Sequence, residues 1–358
     1  MERYRVAQVG LGHRGRVQAQ AFLSNSDRFD LVALCELDEL RLEEGLAEYS
    51  FAAGYTDAET MLAETRPDVF CFVTQPHARL ALVELAAKHG VKGLAFEKPM
   101  ATSLKEAWAI ADLCHRHHIK AVVCHQQKYL TSMARLKRII DEGEIGEIRE
   151  IHATTQGWLS QLGTHYMDYI MWINGGARAR WAVGHVHGKK VLDDSHPSPD
   201  YVMGQVLFAN GVRAFLECGY LSPTHMKRKK FWVDNRLTVH GTHGYAWADT
   251  DGRWGALTRS SGGEMLSGVG DPWERQGHRI QSLYTRDLAN WLDDDNLVHP
   301  CNIDLAFHGY EVLQAMCLSA LDNVRVDLLL AHPHLAGDIL ERMRRELPDM
   351  TPALAPAP

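Results

Sequence analysis

Along the first third of the chain, short apolar runs alternate with stretches of helical spacing. The apolar runs fall at Tyr4–Val9, Leu31–Leu34, Val69–Val73, Gly93–Phe96 and Ala121–Cys124. Between them, apolar positions recur with helical period over Arg16–Leu23, Leu40–Tyr49, Leu80–His89 and Leu104–His117. Apolar strands joined by amphipathic helices predict parallel pairing through right-handed crossovers, with helices on both faces of the sheet. Residues 1–125 are therefore expected to form a doubly wound α/β domain.

The pattern then changes. Met133–Glu142 reads as a helix closed by Gly143, Ile148–Thr155 as a half-buried strand, and His165–Ile173 as a helix ending at Asn174-Gly175-Gly176. Ala179–His187, Tyr201–Phe208, Val212–Tyr220 and Phe231–His240 read as strands, continued by Tyr245–Ala248 and Trp254–Thr258. Asn210-Gly211 predicts a hairpin with a primed two-residue turn. Two long helices near Ile280–Leu292 and Ile303–Ala320 follow. Residues 126–335 are thus expected to form a second α/β domain with a large, mostly antiparallel open sheet. Residues 336–358 are expected to be a C-terminal helix and tail, frayed over the Pro/Ala-rich stretch from Pro348.

Composition narrows the function class. The 358 residues are 46% hydrophobic and 23% charged, ordinary for a globular chain, and suit two domains better than one. A net charge of −7 argues against nucleic acid as a main partner. No apolar window is long enough to predict a membrane span, and the N-terminal residues lack a leader layout, so a cytoplasmic location is expected. Seven scattered cysteines with no Cys-x-x-Cys pair read as reduced thiols. His185-Val186-His187 has a legal metal-ligand spacing but no supporting Cys or Glu pattern, so no metal is expected.

Gly10-Leu11-Gly12-His13-Arg14-Gly15 is a G-x-G-x-x-G. It follows the first apolar strand and opens a helical stretch, the context of a dinucleotide-binding (Rossmann) turn. Gly10 allows the turn, Gly12 lets backbone approach a pyrophosphate at the helix start, and Gly15 permits close packing. Glu36 ends the second apolar run about 20 residues on, where a carboxylate binds the adenosine ribose diol and repels a 2′-phosphate. NAD is therefore expected over NADP, although Arg41 could offset the acid.

A second motif, Glu97-Lys98-Pro99-Met100, follows the Gly93–Phe96 run. With VGLGHRG near the N-terminus, it resembles the Gfo/Idh/MocA (glucose–fructose oxidoreductase, inositol dehydrogenase, rhizopine catabolism) family. Glu142-Gly143-Glu144-Ile145-Gly146, Gly163-Thr164-His165-Tyr166-Met167-Asp168 and Gly241-Thr242-His243-Gly244 are similar to further motifs of that family, in the same order. The resemblance covers roughly residues 4–330. It implies a Rossmann domain followed by an open-sheet α/β domain, and hydride transfer between NAD or NADP and sugars, cyclitols or related polyols. It also implies Lys98 as the motif lysine beside the reacting oxygen and His165 as the general acid/base, a role that suits an imidazole at neutral pH.

Three positions depart from the family pattern. Gln161 stands where an Asp usually precedes the His by four residues, so His165 works with a less basic ring, another acid replaces the Asp, or Gln161 binds substrate. Thr74-Gln75-Pro76-His77 reorders the usual Thr-Pro-Asn, though contact with the nicotinamide ribose is still expected. Lys128, after His125-Gln126-Gln127, replaces an Arg. The expected cofactor residues are Gly10, Gly12, His13, Arg14, Gly15, Glu36, Thr74, Gln75, His77, Glu97 and Lys98. The expected substrate residues are Gln126, Lys128, Trp158, Gln161, His165 and Asp168, with Trp158 as a sugar platform or a plain core residue. Asp168, three residues past His165, reads as structural or substrate-facing. Lys227-Arg228-Lys229-Lys230 reads as a solvated loop or an anion contact, with His225 beside it.

The function expected is an NAD-preferring oxidoreductase acting on a secondary hydroxyl of a sugar, cyclitol or glycoside. A redox-assisted glycosidase of the same family and a non-catalytic NAD-binding sensor are the alternatives. The uncovered face of the second sheet predicts a homodimer or homotetramer.

Overall fold

A computed structural model of the chain describes residues 3–225, 231–328 and 338–349. The basic run Lys227–Lys230 and the tail beyond residue 349 lie outside the described residues. The chain divides into two compact units.

The first unit comprises Met1–Ala101, Glu106–Gln126 and Gly277–Asp304. Its sheet is built from β1 (Tyr4–Val9), β2 (Phe29–Cys35), β3 (Ala53–Tyr55), β4 (Val69–Phe72), β5 (Gly93–Phe96) and β6 (Lys120–Val123). The strand order is β3-β2-β1-β4-β5-β6 and every pair is parallel. All four residues of β4 and of β5 are buried, as strands covered on both faces must be. The order reverses between β1 and β4, which places the ligand crevice at their carboxyl ends. Apolar runs alone do not reveal β3 or the helix Ala58–Thr65 that follows it. β3 is three residues long and mostly exposed, and the helix is announced by its cap instead: the Asp57 side chain accepts from the Thr60 N–H.

Gly277–Asp304 belongs to this unit, not to the 126–335 division expected from the sequence. The reason is a set of polar contacts that no local pattern shows. Gln281 donates to Gln18 Oε1 (2.9 Å), Asn25 donates to the Ser282 carbonyl (2.9 Å) and to Thr285 Oγ1 (3.0 Å), and Arg286 pairs with Asp27 at 2.9 Å. The helix itself runs Trp273–Asp293, longer than expected because its first turns are polar.

The second unit holds β7 (Ile148–Thr155), β8 (Ala179–His187), β9 (Tyr201–Phe208), β10 (Arg213–Gly219), β11 (Asn235–Gly241), β12 (Tyr245–Asp249), β13 (Arg253–Leu257), β14 (Met265–Val269) and β15 (Val326–Asp327). They form one sheet in the order β14-β13-β12-β11-β7-β10-β9-β8-β15. Among the described residues, only the β7–β10 pair of this sheet is parallel. Burial alternates along β7, β9 and β10, so one face is core and the other meets solvent. The helices Thr131–Asp141 and Thr164–Ile173 pack on the core face against β12 and β7. The helix Ile303–Asp322 is tied to β8, with Ser319 Oγ accepting from the Gly184 N–H at 3.1 Å. On the other face Met203 is 43% exposed between His185 and Glu217 on the neighbouring strands, and Trp181, Val183 and Phe215 on the same face are half-buried. A short helix, Ile339–Glu346, is capped by Asp338.

The β9–β10 hairpin forms as expected, but its turn is not the primed type. Asn210 is absent from the residues with positive φ; only Gly211 takes that region, at φ 85°. The Gly211 N–H donates to the Phe208 carbonyl and the Phe208 N–H to the Val212 carbonyl, a type I turn closed by a glycine bulge. The expected strand Phe231–His240 starts only at Asn235, because Phe231–Val233 forms a 3₁₀ turn.

Candidate active site

In the first unit, the loop after β1 makes the tight glycine turn expected of a dinucleotide site. Gly10 has φ 90°, and its N–H donates to the Cys35 carbonyl at 2.9 Å. Gly12 caps the helix His13–Leu23 with no side chain on the helix start, and a Cβ added there would meet nothing within 4 Å. Nothing crowds the start of that helix at Gly12 and no side chain caps it, which leaves the room a pyrophosphate needs. A Cβ on Gly15 would fall 2.1 Å from the Gly10 carbonyl oxygen, so the helix packs tightly on its own loop. At the end of β2, Glu36 Oε2 accepts from the Leu11 N–H and Oε1 from the Leu37 N–H, both at 2.9 Å. Two amides thus fix this carboxylate beside the glycine turn, and Arg41 lies 3.6 Å from it. These residues fit a dinucleotide.

The other expected cofactor residues fall into three groups. His13, Gln75 and His77 are exposed, and Thr74 is half-buried at the start of the loop after β4. Arg14 and Glu97 bind each other: the guanidinium is 2.9 Å from Glu97 Oε1 and donates to Gln281 Oε1 at 3.0 Å. Burial pushes the Glu97 carboxyl up, but Arg14, Lys98 and Arg79 outweigh it and hold it below the usual range. Lys98 is half-buried after β5, and desolvation pulls its pKa down. Glu97 opposes that shift, while Arg14 and Arg79 add to it. Sequence reasoning did not single out Arg79 as a strut. It is 1% exposed and donates to the Thr74 and Lys98 carbonyls at 3.1 and 3.3 Å, joining the loops after β4 and β5. Gln126, expected at the substrate, is buried and accepts from the Cys124 thiol at 3.3 Å.

In the second unit, a π turn over Leu159–Gly163 leads into the helix Thr164–Ile173. Its first turns carry His165, Asp168 and Tyr169, all buried. His165 Nδ1 lies 2.8 Å from Tyr169 Oη, and that hydroxyl donates to Gln127 Oε1 at 3.2 Å. Asp168 Oδ2 is 2.5 Å from Lys128 Nζ, with both side chains 1% exposed. The ammonium also lies over the Trp172 ring at 5.7 Å. Trp158 is half-buried and edge-on to Tyr220, and Gln161 is half-buried in the same turn. Tyr169 and Gln127 were missed from the sequence. The available signal was the i,i+4 spacing of His165 and Tyr169, which puts them on one helix face.

Two motifs quoted for the resemblance hold each other. The His243 N–H donates to the Ile145 carbonyl at 2.9 Å and the Thr242 N–H to the Glu147 carbonyl at 3.0 Å, closing Glu142–Gly146 on Gly241–Gly244. His225 is tied down by Thr154 Oγ1 (2.6 Å) and by Asp234 (2.8 Å), and burial lowers its pKa. Among the described residues, no group of three or more His, Cys, Asp or Glu is arranged to hold a metal ion. No described helix is long and apolar enough to cross a membrane. All seven cysteines are buried and unbridged.

Residues 4–125 match the model of the oxidoreductase family with an NAD-binding Rossmann fold, and residues 154–247 match the GFO/IDH/MocA C-terminal domain. D-apiose dehydrogenase of Rhizobium rhizogenes is 30% identical over 286 residues, 74% of this chain and 79% of that protein. Inositol 2-dehydrogenase of Rhizobium meliloti is 23% identical over 330 residues, 87% of this chain and 93% of that one. Among solved structures, an oxidoreductase from Agrobacterium radiobacter in complex with NAD+, L-tartaric acid and magnesium shares the fold. Its TM-score is 0.77 at 18% identity, covering 91% of this chain and 98% of that one.

Proposed function

The chain belongs to the Gfo/Idh/MocA family of NAD-binding oxidoreductases, and from that membership we propose that it transfers a hydride at a secondary hydroxyl of a sugar, cyclitol or glycoside. NAD, when bound, supplies the hydride acceptor at its nicotinamide. His165 takes the hydroxyl proton as the carbon–oxygen bond becomes a carbonyl. Lys98 donates a hydrogen bond to that oxygen and stabilises the charge that develops on it. One observation carries the reading furthest. A single unit combines an open, uncapped helix start at Gly12, a carboxylate fixed by two amides at Glu36, and a lysine whose proton burial has loosened. The open face of β8–β10, with Met203 exposed at its centre, supports self-association through this sheet.

The test is absorbance at the reduced-nicotinamide band with NAD and a panel of cyclitols, free sugars and glycosides, with free sugar followed in the same samples. Steady accumulation of reduced cofactor is the expected result. A signal that stops at one equivalent while sugar keeps leaving a glycoside would replace the dehydrogenase with a redox-assisted glycosidase. NAD binding with neither signal would favour a sensor.

Glu36 makes NAD the preferred cofactor. Its carboxylate would accept from a ribose diol and repel a 2′-phosphate. Glu36→Ala is expected to weaken NAD binding about 10- to 100-fold, the range of a lost charged hydrogen bond, and to narrow the gap to NADP. Titration calorimetry with each dinucleotide reads both. An unchanged NAD/NADP ratio would remove Glu36 from this role.

A further inference from the structure

The Gln161 side chain makes no hydrogen bond among the described residues. Its main chain closes the π turn instead: its N–H donates to the Trp158 carbonyl at 3.1 Å, and its carbonyl accepts from Thr164 Oγ1 at 2.9 Å. His165 is 3% exposed, and a buried imidazole is costly unless its ring nitrogens are matched to partners. The partner found for Nδ1 is Tyr169 Oη at 2.8 Å, one helical turn further on. Tyr169 is anchored in turn by Gln127, 42 residues earlier in the chain, at 3.2 Å.

With Gln127 presenting its amide oxygen to Tyr169, proton counting sets the direction of this chain of bonds. A phenol has one proton to give, and an amide carbonyl oxygen can only accept. With the Tyr169 proton directed to Gln127 Oε1, the phenol oxygen meets Nδ1 as an acceptor. Nδ1 therefore carries the ring hydrogen. A neutral imidazole carries a single ring proton, so Nε2 holds the lone pair. The geometry points to Tyr169, held by Gln127, as a positioning residue that fixes His165 in the Nδ1–H tautomer with Nε2 as its basic nitrogen. The orienting work expected of residue 161 is done from the opposite side of His165 in sequence, by a neutral group. The catalytic meaning of this arrangement rests on His165 being the proton acceptor; the tautomer itself does not.

The experiment is long-range proton–nitrogen NMR on the full chain with nitrogen-15 in the imidazole rings. The His165 signals are those lost in His165→Asn. The expected wild-type pattern is a pyrrole-like Nδ1 and a pyridine-like Nε2. Tyr169→Phe is expected to return His165 toward the Nε2–H form, with the other histidine signals confirming that the chain is folded. Gln127→Glu keeps an acceptor and adds charge, so it is expected to retain Nδ1–H and raise the His165 pKa by about one unit. An Nε2–H tautomer in the wild type, or one indifferent to Tyr169→Phe in a folded chain, overturns the proposal. If the tautomer behaves as expected but His165→Asn turns over normally, this proposal stands and the reading of His165 as the base fails.

Discussion

His165→Asn is expected to lower kcat about 10²- to 10⁴-fold, the span attributed to a positioned general base, with NAD affinity unchanged. The substitution keeps a polar side chain of similar size in a site that is 3% exposed, so the helix Thr164–Ile173 should survive it. The residues of the glycine turn, Gly10 to Gly15, and Glu36 lie on other elements and keep their hydrogen bonds. Residual turnover is expected because Lys98 and the hydride acceptor remain. The measurement is single-turnover formation of reduced cofactor with whichever panel compound the wild type oxidises, beside calorimetric titration of NAD. A wild-type rate in the folded variant would show that the proton leaves by another route.

Breaking the Lys128–Asp168 pair is expected to have the largest effect on stability. Both side chains are 1% exposed and the ions are 2.5 Å apart. Removing one member leaves the other charge buried, a loss of about 3–5 kcal/mol. Lys128→Met should lower the melting temperature by about 6–20 °C, at roughly 2–4 °C per kcal/mol for a unit of this size. The double variant Lys128→Met/Asp168→Leu should recover most of the loss, because an apolar pair of similar volume avoids the desolvation cost of both ions. Calorimetric melting of the three variants decides the point. A single-variant loss below about 1 kcal/mol, the range of exposed pairs, would mean that water reaches the site. Lys128 was expected at the substrate and Asp168 as structural or substrate-facing; their mutual pairing is sufficient to account for their burial.

The sequence was most legible where a periodic pattern and a burial pattern coincide. β7, β8 and β9 begin and end where the apolar alternation does, because one face of each is buried. β3, β14 and β15 escape that logic: β3 and β15 are very short, and β14 is almost wholly exposed. The glycine turn and Glu36 were readable because their jobs depend on main-chain geometry and a fixed spacing. Partners far apart in sequence were not. Arg14 with Glu97, Lys128 with Asp168, and Tyr169 with Gln127 are each separated by at least 40 residues. No local period encodes such a choice, and several charged residues compete for each partner.

The return of Gly277–Asp304 to the first unit bears on how the chain is made. A ribosome releases the six strands of the parallel sheet within the first 123 residues. The helix that satisfies Gln18, Asn25 and Asp27 emerges only after the whole second sheet as far as β14 has been synthesised. Until then Gln18 keeps only its contacts to Glu97 and Cys124, Asn25 its bond to the Ala21 carbonyl, and the partners that the late helix supplies are replaced by water. Contacts that span so much chain carry a high loop-closure cost and form late. The nascent chain therefore finishes the unit that begins at its amino end only after most of the other has left the exit tunnel.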